Sequence, residues 1–217
     1  VSQGVERQSC LPKTAWAADY TRGDRGGGVD DTVSGGGRGM LLPAEPLARA
    51  IDAVAEHLGF LPHILYMSPR GPVLTQEKAR RLAQLPGLLL LCGHYEGVDQ
   101  RLLDEYQAEE ISIGDYVLTG GELPAAILTD AVSRMLPGVL SDQACFTEES
   151  HFSGLLEYPQ YTRPEVWRGR PVPPVLLSGH HGNIAKWRRE ESLSVTKKNR
   201  PDLYARWKNG EGKPSGV

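Results

Sequence analysis

Two carboxylates frame the glycine-rich stretch ISIGDYVLTGGELP at residues 111–124: Asp115 follows Gly114, and Glu122 follows the pair Gly120 and Gly121. Paired glycines between an apolar, β-branched run and a helical pattern let backbone amides and carbonyls close on a ligand. The side chains narrow that ligand's chemistry. A phosphate-cradling loop needs Lys and Ser/Thr after its glycines. This loop offers acids, which suit a neutral or cationic group such as the sulfonium of S-adenosylmethionine. A plain structural turn would also use Gly-Gly, so both readings stand on this stretch alone. A second chemical signal lies at residues 186–208, where eight Lys/Arg face three acids, a local +5 in a chain of net charge −3. Interleaved with Trp187, Tyr204 and Trp207, such a segment can grip an RNA backbone and stack on bases. A solvated helix face with core aromatics would read the same way.

The elements that must position these groups alternate. Pro46 suits a first helical turn, with Leu47, Ile51, Val54, Ala55 and Leu58 on one face and Gly59 closing it. Residues 63–67 read as a buried strand ending in the turn Ser68-Pro69-Arg70-Gly71. Thr75 is placed to cap a helix to about residue 85. Residues 88–92 form an apolar run closed by Gly93-His94-Tyr95-Glu96-Gly97. The 111–124 stretch starts as a strand, turns at Gly114, resumes at Tyr116-Val117-Leu118, and gives way to a helix over 123–136. Strands alternating with helices predict an α/β fold with a mostly parallel sheet. In such sheets ligands bind beyond the carboxyl ends of the strands, and three strand ends here fall on turn motifs. Outside that pattern, the glycine triplets at 26–28 and 35–37 belong to a mobile linker or a substrate loop. The long 141–174 segment is functional or disordered. Residues 175–177 read as a brief strand before a basic helix from about 183.

Composition bounds the answer. At 217 residues the chain holds one large domain or one with a smaller appendage. Charged residues at 24% and hydrophobic residues at 40% argue against wholesale disorder. No run approaches the roughly 18 apolar residues of a membrane span. The first residues lack an apolar signal core, which makes the cytoplasm the expected location. Cys10, Cys92 and Cys145 are widely spaced without a CxxC pair, suiting neither a disulfide framework nor a zinc site.

Longer motifs carry more. VDDTVSGGGRGM, GHYEGVDQR, EEISIGDYVLTGGELPAAILTDAVSRMLPGVL, LLEYPQYTRPEV and PPVLLSGHHGNIAKWRREESL, nearly colinear over residues 29–203, closely resemble bacterial tRNA (guanine-N1)-methyltransferases. That family belongs to the knotted SPOUT class. The resemblance implies a SPOUT-type knotted parallel-sheet α/β domain at 29–160, including an interdomain loop from about 141. A small, shortened helical tRNA-binding domain would follow at 161–217, and an atypical segment at 1–28 would precede the knotted domain. It further implies a homodimer whose active sites use both chains, S-adenosylmethionine bent among the knot loops, and the tRNA anticodon branch held by the basic C-terminal segment. Tyr66, Ser68, Pro69, Gly93, Glu96, Ile113, Gly114, Asp115, Tyr116, Val117, Leu118, Gly120 and Gly121 match positions that would bind the cofactor. The family is described as needing magnesium, and Glu96 is the carboxylate expected near it.

The implied reaction has its own demands. Guanine N1 is protonated at neutral pH and must lose that proton to attack a methyl group, so a carboxylate within hydrogen-bond reach serves as general base. The family's base is an Asp; the matching position here is Glu157, which keeps the carboxylate and adds a methylene. Arg163 could anchor a tRNA phosphate or the guanine edge, or pair with Glu165. His94 stands where many relatives carry Arg, and His180-His181 read as a helix entry. Residues 1–16 do not match the family's usual first strand. Two other readings stay open: a SPOUT enzyme with another RNA target, and a noncatalytic cofactor- or RNA-binding relative.

Overall fold

The computed structural model describes residues 17–20, 31–36, 39–139, 150–151 and 154–210, arranged as two compact units, 1–139 and 140–217. The expectations for residues 1–16, the triplet 26–28, Cys10, Cys145 and the loop at 141–149 lie outside the described residues.

The first unit is built on three parallel strands. β1 (Asp31–Thr32) and β2 (Met40–Leu41) pair antiparallel as a small hairpin. The described part of the glycine-rich segment, residues 31–36 and 39–41, thus carries these two short strands. Helix α1 (Ala44–Leu58) follows, ending at Gly59, whose φ of 75° is left-handed and suits a residue without Cβ. Then come β3 (His63–Met67), α2 (Gln76–Leu82), β4 (Leu88–Cys92), α3 (Gln100–Glu105), β5 (Glu109–Ile111) and α4 (Glu122–Ser133). Thr75 caps α2 as its spacing predicts, its hydroxyl accepting from the Lys78 amide at 3.2 Å. The strand order β4-β3-β5 puts β3 in the centre, parallel to both neighbours.

Alternation along β3 makes two cores. Ile64 and Tyr66 face one side with Leu91, packed under α1 (Leu47, Ile51) and α3 (Leu102, Leu103). Leu65 and Met67 face the other with Ile111, covered by α2 (Ala79, Leu82) and α4 (Ala125, Leu128, Val132). Leu65 and Leu128 are fully buried, each burial contributing roughly 1.5–3 kcal/mol. Both faces of the sheet are therefore apolar, as parallel sheets require.

Two strand expectations are corrected. β5 begins earlier, at Glu109, and no strand resumes at 116–118. There Tyr116, Val117 and Leu118 are exposed on a loop whose curvature Ser112 sets, its hydroxyl contacting both the amide (3.1 Å) and carbonyl (2.9 Å) of Gly114.

The second unit carries the hairpin β6 (Val166–Trp167) and β7 (Arg170–Pro171), then helices α5 (Pro174–Leu177), α6 (His181–Asn199) and α7 (Pro201–Lys208). Residues 175–177 are thus a helical turn, not a strand. Pro174 presets the helical φ, and the Leu176 amide closes on the Pro173 carbonyl at 3.0 Å. His180 and His181 do open α6.

Candidate active site

Register sets the site. Met67 pairs with Cys92 on one side and Ile111 on the other, so the three strands end level and their following turns lie side by side. Backbone bonds lock the turns together. The Ser68 amide reaches the Ile111 carbonyl at 3.0 Å, Leu74 reaches Ser112 at 2.7 Å, and Gly121 reaches back to Gly93 at 3.0 Å. Between them lies a cavity of about 250 Å³. Its first wall is Tyr66, Ser68 and Pro69; its second is Gly93 and Glu96. The third is Ile113, Tyr116, Val117 and Leu118, closed by Gly120 and Gly121. Of the residues expected to bind cofactor, Gly114 and Asp115 sit on the same loop but do not line the cavity. Residues not among those expected to bind cofactor also line it: Met67 and Ile111 at the strand ends, Ser112, Tyr95 and Gly97 in the turns, and His94, Thr119 and Pro124. Strand-end position alone would have found Met67 and Ile111.

Close backbone approach is built in. A Cβ on Gly121 would stand 2.7 Å from Cys92 Cα, and one on Gly97 would stand 2.8 Å from the Tyr66 hydroxyl. The glycine-rich segment enters here as well. The Glu96 amide donates to the Met40 carbonyl at 3.0 Å, and the Leu42 amide donates to the Gly97 carbonyl at 2.9 Å. Glu96's carboxylate fills the space a Gly39 side chain would need.

Among the described residues no Lys or Arg lines the cavity, a lining that fits a nucleoside carrying a cationic or neutral group better than a polyphosphate. At its rim His94 Nε2 and Glu122 Oε1 lie 2.6 Å apart. Burial pushes the Tyr66 phenol above its ordinary pKa, with Arg70 opposing and Glu110 adding to the shift. Cys92, just behind Gly121, is pushed up to about 11 by burial and by the Glu122 charge, and so remains a thiol at neutral pH. Among the described residues no group of three or more His, Cys, Asp or Glu side chains could hold a metal ion.

Glu157 and Arg163 belong to the second unit. Glu157 is half-buried and fixed from several directions. Its amide donates to Ser150 Oγ at 2.9 Å, and Gln160 Nε2 donates to its Oε1 at 2.6 Å. The preceding residue is tied to α6, where the fully buried Thr196 accepts from the Leu156 amide at 2.8 Å. Thr196 is a support the motifs did not reveal, since it lies 40 residues along the chain. Arg163 is exposed and makes no ion pair among the described residues, with Glu165 or any other acid. The basic helices carry aromatic–cation pairs: Arg188 lies over Tyr158 at 4.9 Å and Arg189 over Trp207 at 5.4 Å.

Parallel strands ending level on loops that enclose a cavity make an α/β fold, consistent with the SPOUT class to which the matching family belongs. The family model described as tRNA (Guanine-1)-methyltransferase TrmD matches residues 6–206, and the chain belongs to that family. The match starts ahead of residue 29, where the motifs alone placed the start of the resemblance. Curated relatives agree. A tRNA (guanine-N(1)-)-methyltransferase of Ruminiclostridium cellulolyticum is 56% identical over 191 residues, 88% of this chain and 82% of the relative. Proteins of the same name from Chloroflexus aurantiacus and Alkaliphilus oremlandii are 57% and 54% identical, covering 84% and 81% of this chain and 72% of each relative. Among the described residues no helix is long and apolar enough to cross a membrane.

Proposed function

We propose that this chain methylates N1 of the guanosine immediately 3′ of the tRNA anticodon, using S-adenosylmethionine. The observation that carries the reading is the cavity between three level strand ends, lined by backbone, apolar and hydroxyl side chains and the Glu96 carboxylate, in a chain of this family. Bound there, the donor would supply an electrophilic methyl group on a sulfonium. The chain's own residues do the rest. Glu157, held by Gln160 and Ser150, takes the proton from guanine N1 so that the nitrogen lone pair can attack. Arg163, exposed and cationic, stabilises charge developing on guanine O6 or holds a neighbouring phosphate. Tyr66, Ser68 and Pro69 orient the donor against the Gly93 to Gly97 turn. The cofactor domain of the proposal spans 29–160 and the tRNA-binding domain 161–217.

The proposal includes a trefoil knot, a homodimer and a cytoplasmic location. The knot is supported by the path of the chain. It leaves β5 on one side of β3 and reaches β4 on the other, where Gly121 bonds to Gly93 and His94 bridges Gly120. The dimer is supported by apolar side chains left exposed on α4 and the loop before it: Leu123, Ile127 and Val117, the last 80% exposed. Magnesium enters the proposal only through Glu96, and no step is routed through it.

The test is incubation of the protein with donor, magnesium and tRNA transcripts carrying G or A at the target position, followed by nucleoside mass spectrometry. 1-Methylguanosine from the G transcript alone is the expected result. Binding of donor and tRNA without product would point to a noncatalytic relative, and methylation elsewhere to another RNA target.

A further inference from the structure

Beyond the basic helices, the second unit presents a small hairpin of unusual composition. Val166 pairs with Pro171 and Trp167 with Arg170, leaving Arg168 and Gly169 as the two-residue turn. Both have positive φ, 50° and 76°, the turn type whose twist matches a hairpin. Glycine adopts that conformation freely, whereas Arg168 holds it under strain, and such strain concentrates at working sites. Trp167 is 57% exposed, with the Arg168 guanidinium stacked on it at 4.9 Å. Val166 beside it is 56% exposed. Residues 163–170 contain three arginines against Glu165 alone, and none of the three is ion-paired among the described residues.

We infer that this hairpin is a second RNA contact, resting on the tRNA reading above. An unpaired nucleobase stacks on Trp167, and Arg168 and Arg170 meet the flanking phosphates. A tryptophan left 57% exposed keeps more than half of its apolar surface in water. One face is already held by a guanidinium that fixes the ring and adds positive charge, while the rest of its surface remains available. Planar aromatic plus guanidinium is the combination that binds single-stranded nucleic acid with little regard to base identity. An excess of cations over acids favours a polyanion over a protein surface. Trp167 follows Glu157 by ten residues, so one continuous segment would carry both the proton acceptor and this grip on the substrate.

The test uses the full chain with the G-bearing tRNA transcript at saturating donor. Trp167→Ala should raise the KM for tRNA about ten-fold, within the range of one lost base stack. Its kcat and its KM for the donor should stay at wild-type values. Trp167→Phe, which keeps a stacking surface, should return the tRNA KM to within about three-fold of wild type. Arg170→Gln should lower the slope of log affinity against log salt by about one. An unchanged tRNA KM in a Trp167→Ala protein that melts like wild type would overturn the inference and leave the hairpin to a protein partner. So would a Phe variant as impaired as Ala. A wild-type protein that makes no 1-methylguanosine would overturn the reaction assignment instead. Direct tRNA binding by the same variants would then still decide the hairpin.

Discussion

The two units build their candidate sites from opposite materials. In the first, the cavity is made of backbone: three strand ends held level by register, closed by turns whose amides and carbonyls bond to one another. In the second, the working groups are side chains, Glu157 on a segment outside regular structure and arginines stacked on Trp167 and Tyr158. A site made of backbone fails when a single methyl group is added. A site made of side chains fails in proportion to the group removed.

The sharpest test of that difference is inside the Gly120-Gly121 pair. Gly121 has φ −82°, open to any residue, so its constraint is space alone. A Cβ there would meet Cys92 Cα at 2.7 Å and the Gly93 amide nitrogen at 3.0 Å, neither of which can rotate away. On Gly120 it would meet the Glu122 carboxylate and the His94 ring, both of which can. Gly121→Ala should therefore destabilise the fold by about 1–3 kcal/mol and weaken donor binding by roughly 100-fold or more, about 2.7 kcal/mol. Gly120→Ala should stay within about ten-fold of wild type. Titration calorimetry with S-adenosylmethionine and a melting curve measure both, and equal losses in the two variants would break the comparison.

Next in size is Glu157→Gln. The amide keeps the size of the carboxylate and can still accept from Gln160, so position is preserved and basicity is lost. Single-turnover rates should fall by about 10²–10⁴ while donor affinity and melting temperature hold. A variant that loses donor affinity and rate together would assign Glu157 a structural role.

The same contrast explains what could be read in advance. β3 and β4 were legible because their apolar runs are bounded by proline and glycine, and the cavity followed from where those runs stop. β5 was legible only at its end, Ile111, since Glu109 and Glu110 look like loop residues. Within the sheet their charges are met by Lys78 and His63 for Glu109 and by Arg70 for Glu110. Tyr116-Val117-Leu118 has the composition of a strand, but Ser112 and Gly114 bend the loop so that these side chains border the cavity. In the second unit Glu157 stood out through its motif, whereas its support from Thr196 depends on how a distant helix packs, which no local pattern records.

Acid stability gives the smallest effect and reverses a naive ranking. In the first unit Glu109 is contacted by His63 Nε2 at 2.8 Å and by Lys78 Nζ. Burial alone would raise its carboxyl pKa, but the hydrogen bonds from Lys78 and His63 outweigh burial and leave it depressed. In the second unit the Arg200 fork holds Asp202 at 2.9 and 2.6 Å and takes its carboxyl down to about 2, the larger shift. Yet Arg200 and Asp202 are 46% and 55% exposed, where solvent screens the pair and its worth is small. A depressed carboxyl stabilises the fold fully above its unfolded pKa, near ~4.3 for Glu, and loses that contribution as pH falls through the lower folded value. Glu109→Gln should therefore lower the melting temperature at pH 7 by about 2–4 °C and flatten its decline below roughly pH 4.5. Asp202→Asn should shift it by less than about 1 °C. If Asp202→Asn cost as much as Glu109→Gln, the exposed fork would have to be ordered well beyond an ordinary surface pair, and exposure would no longer separate the two carboxylates.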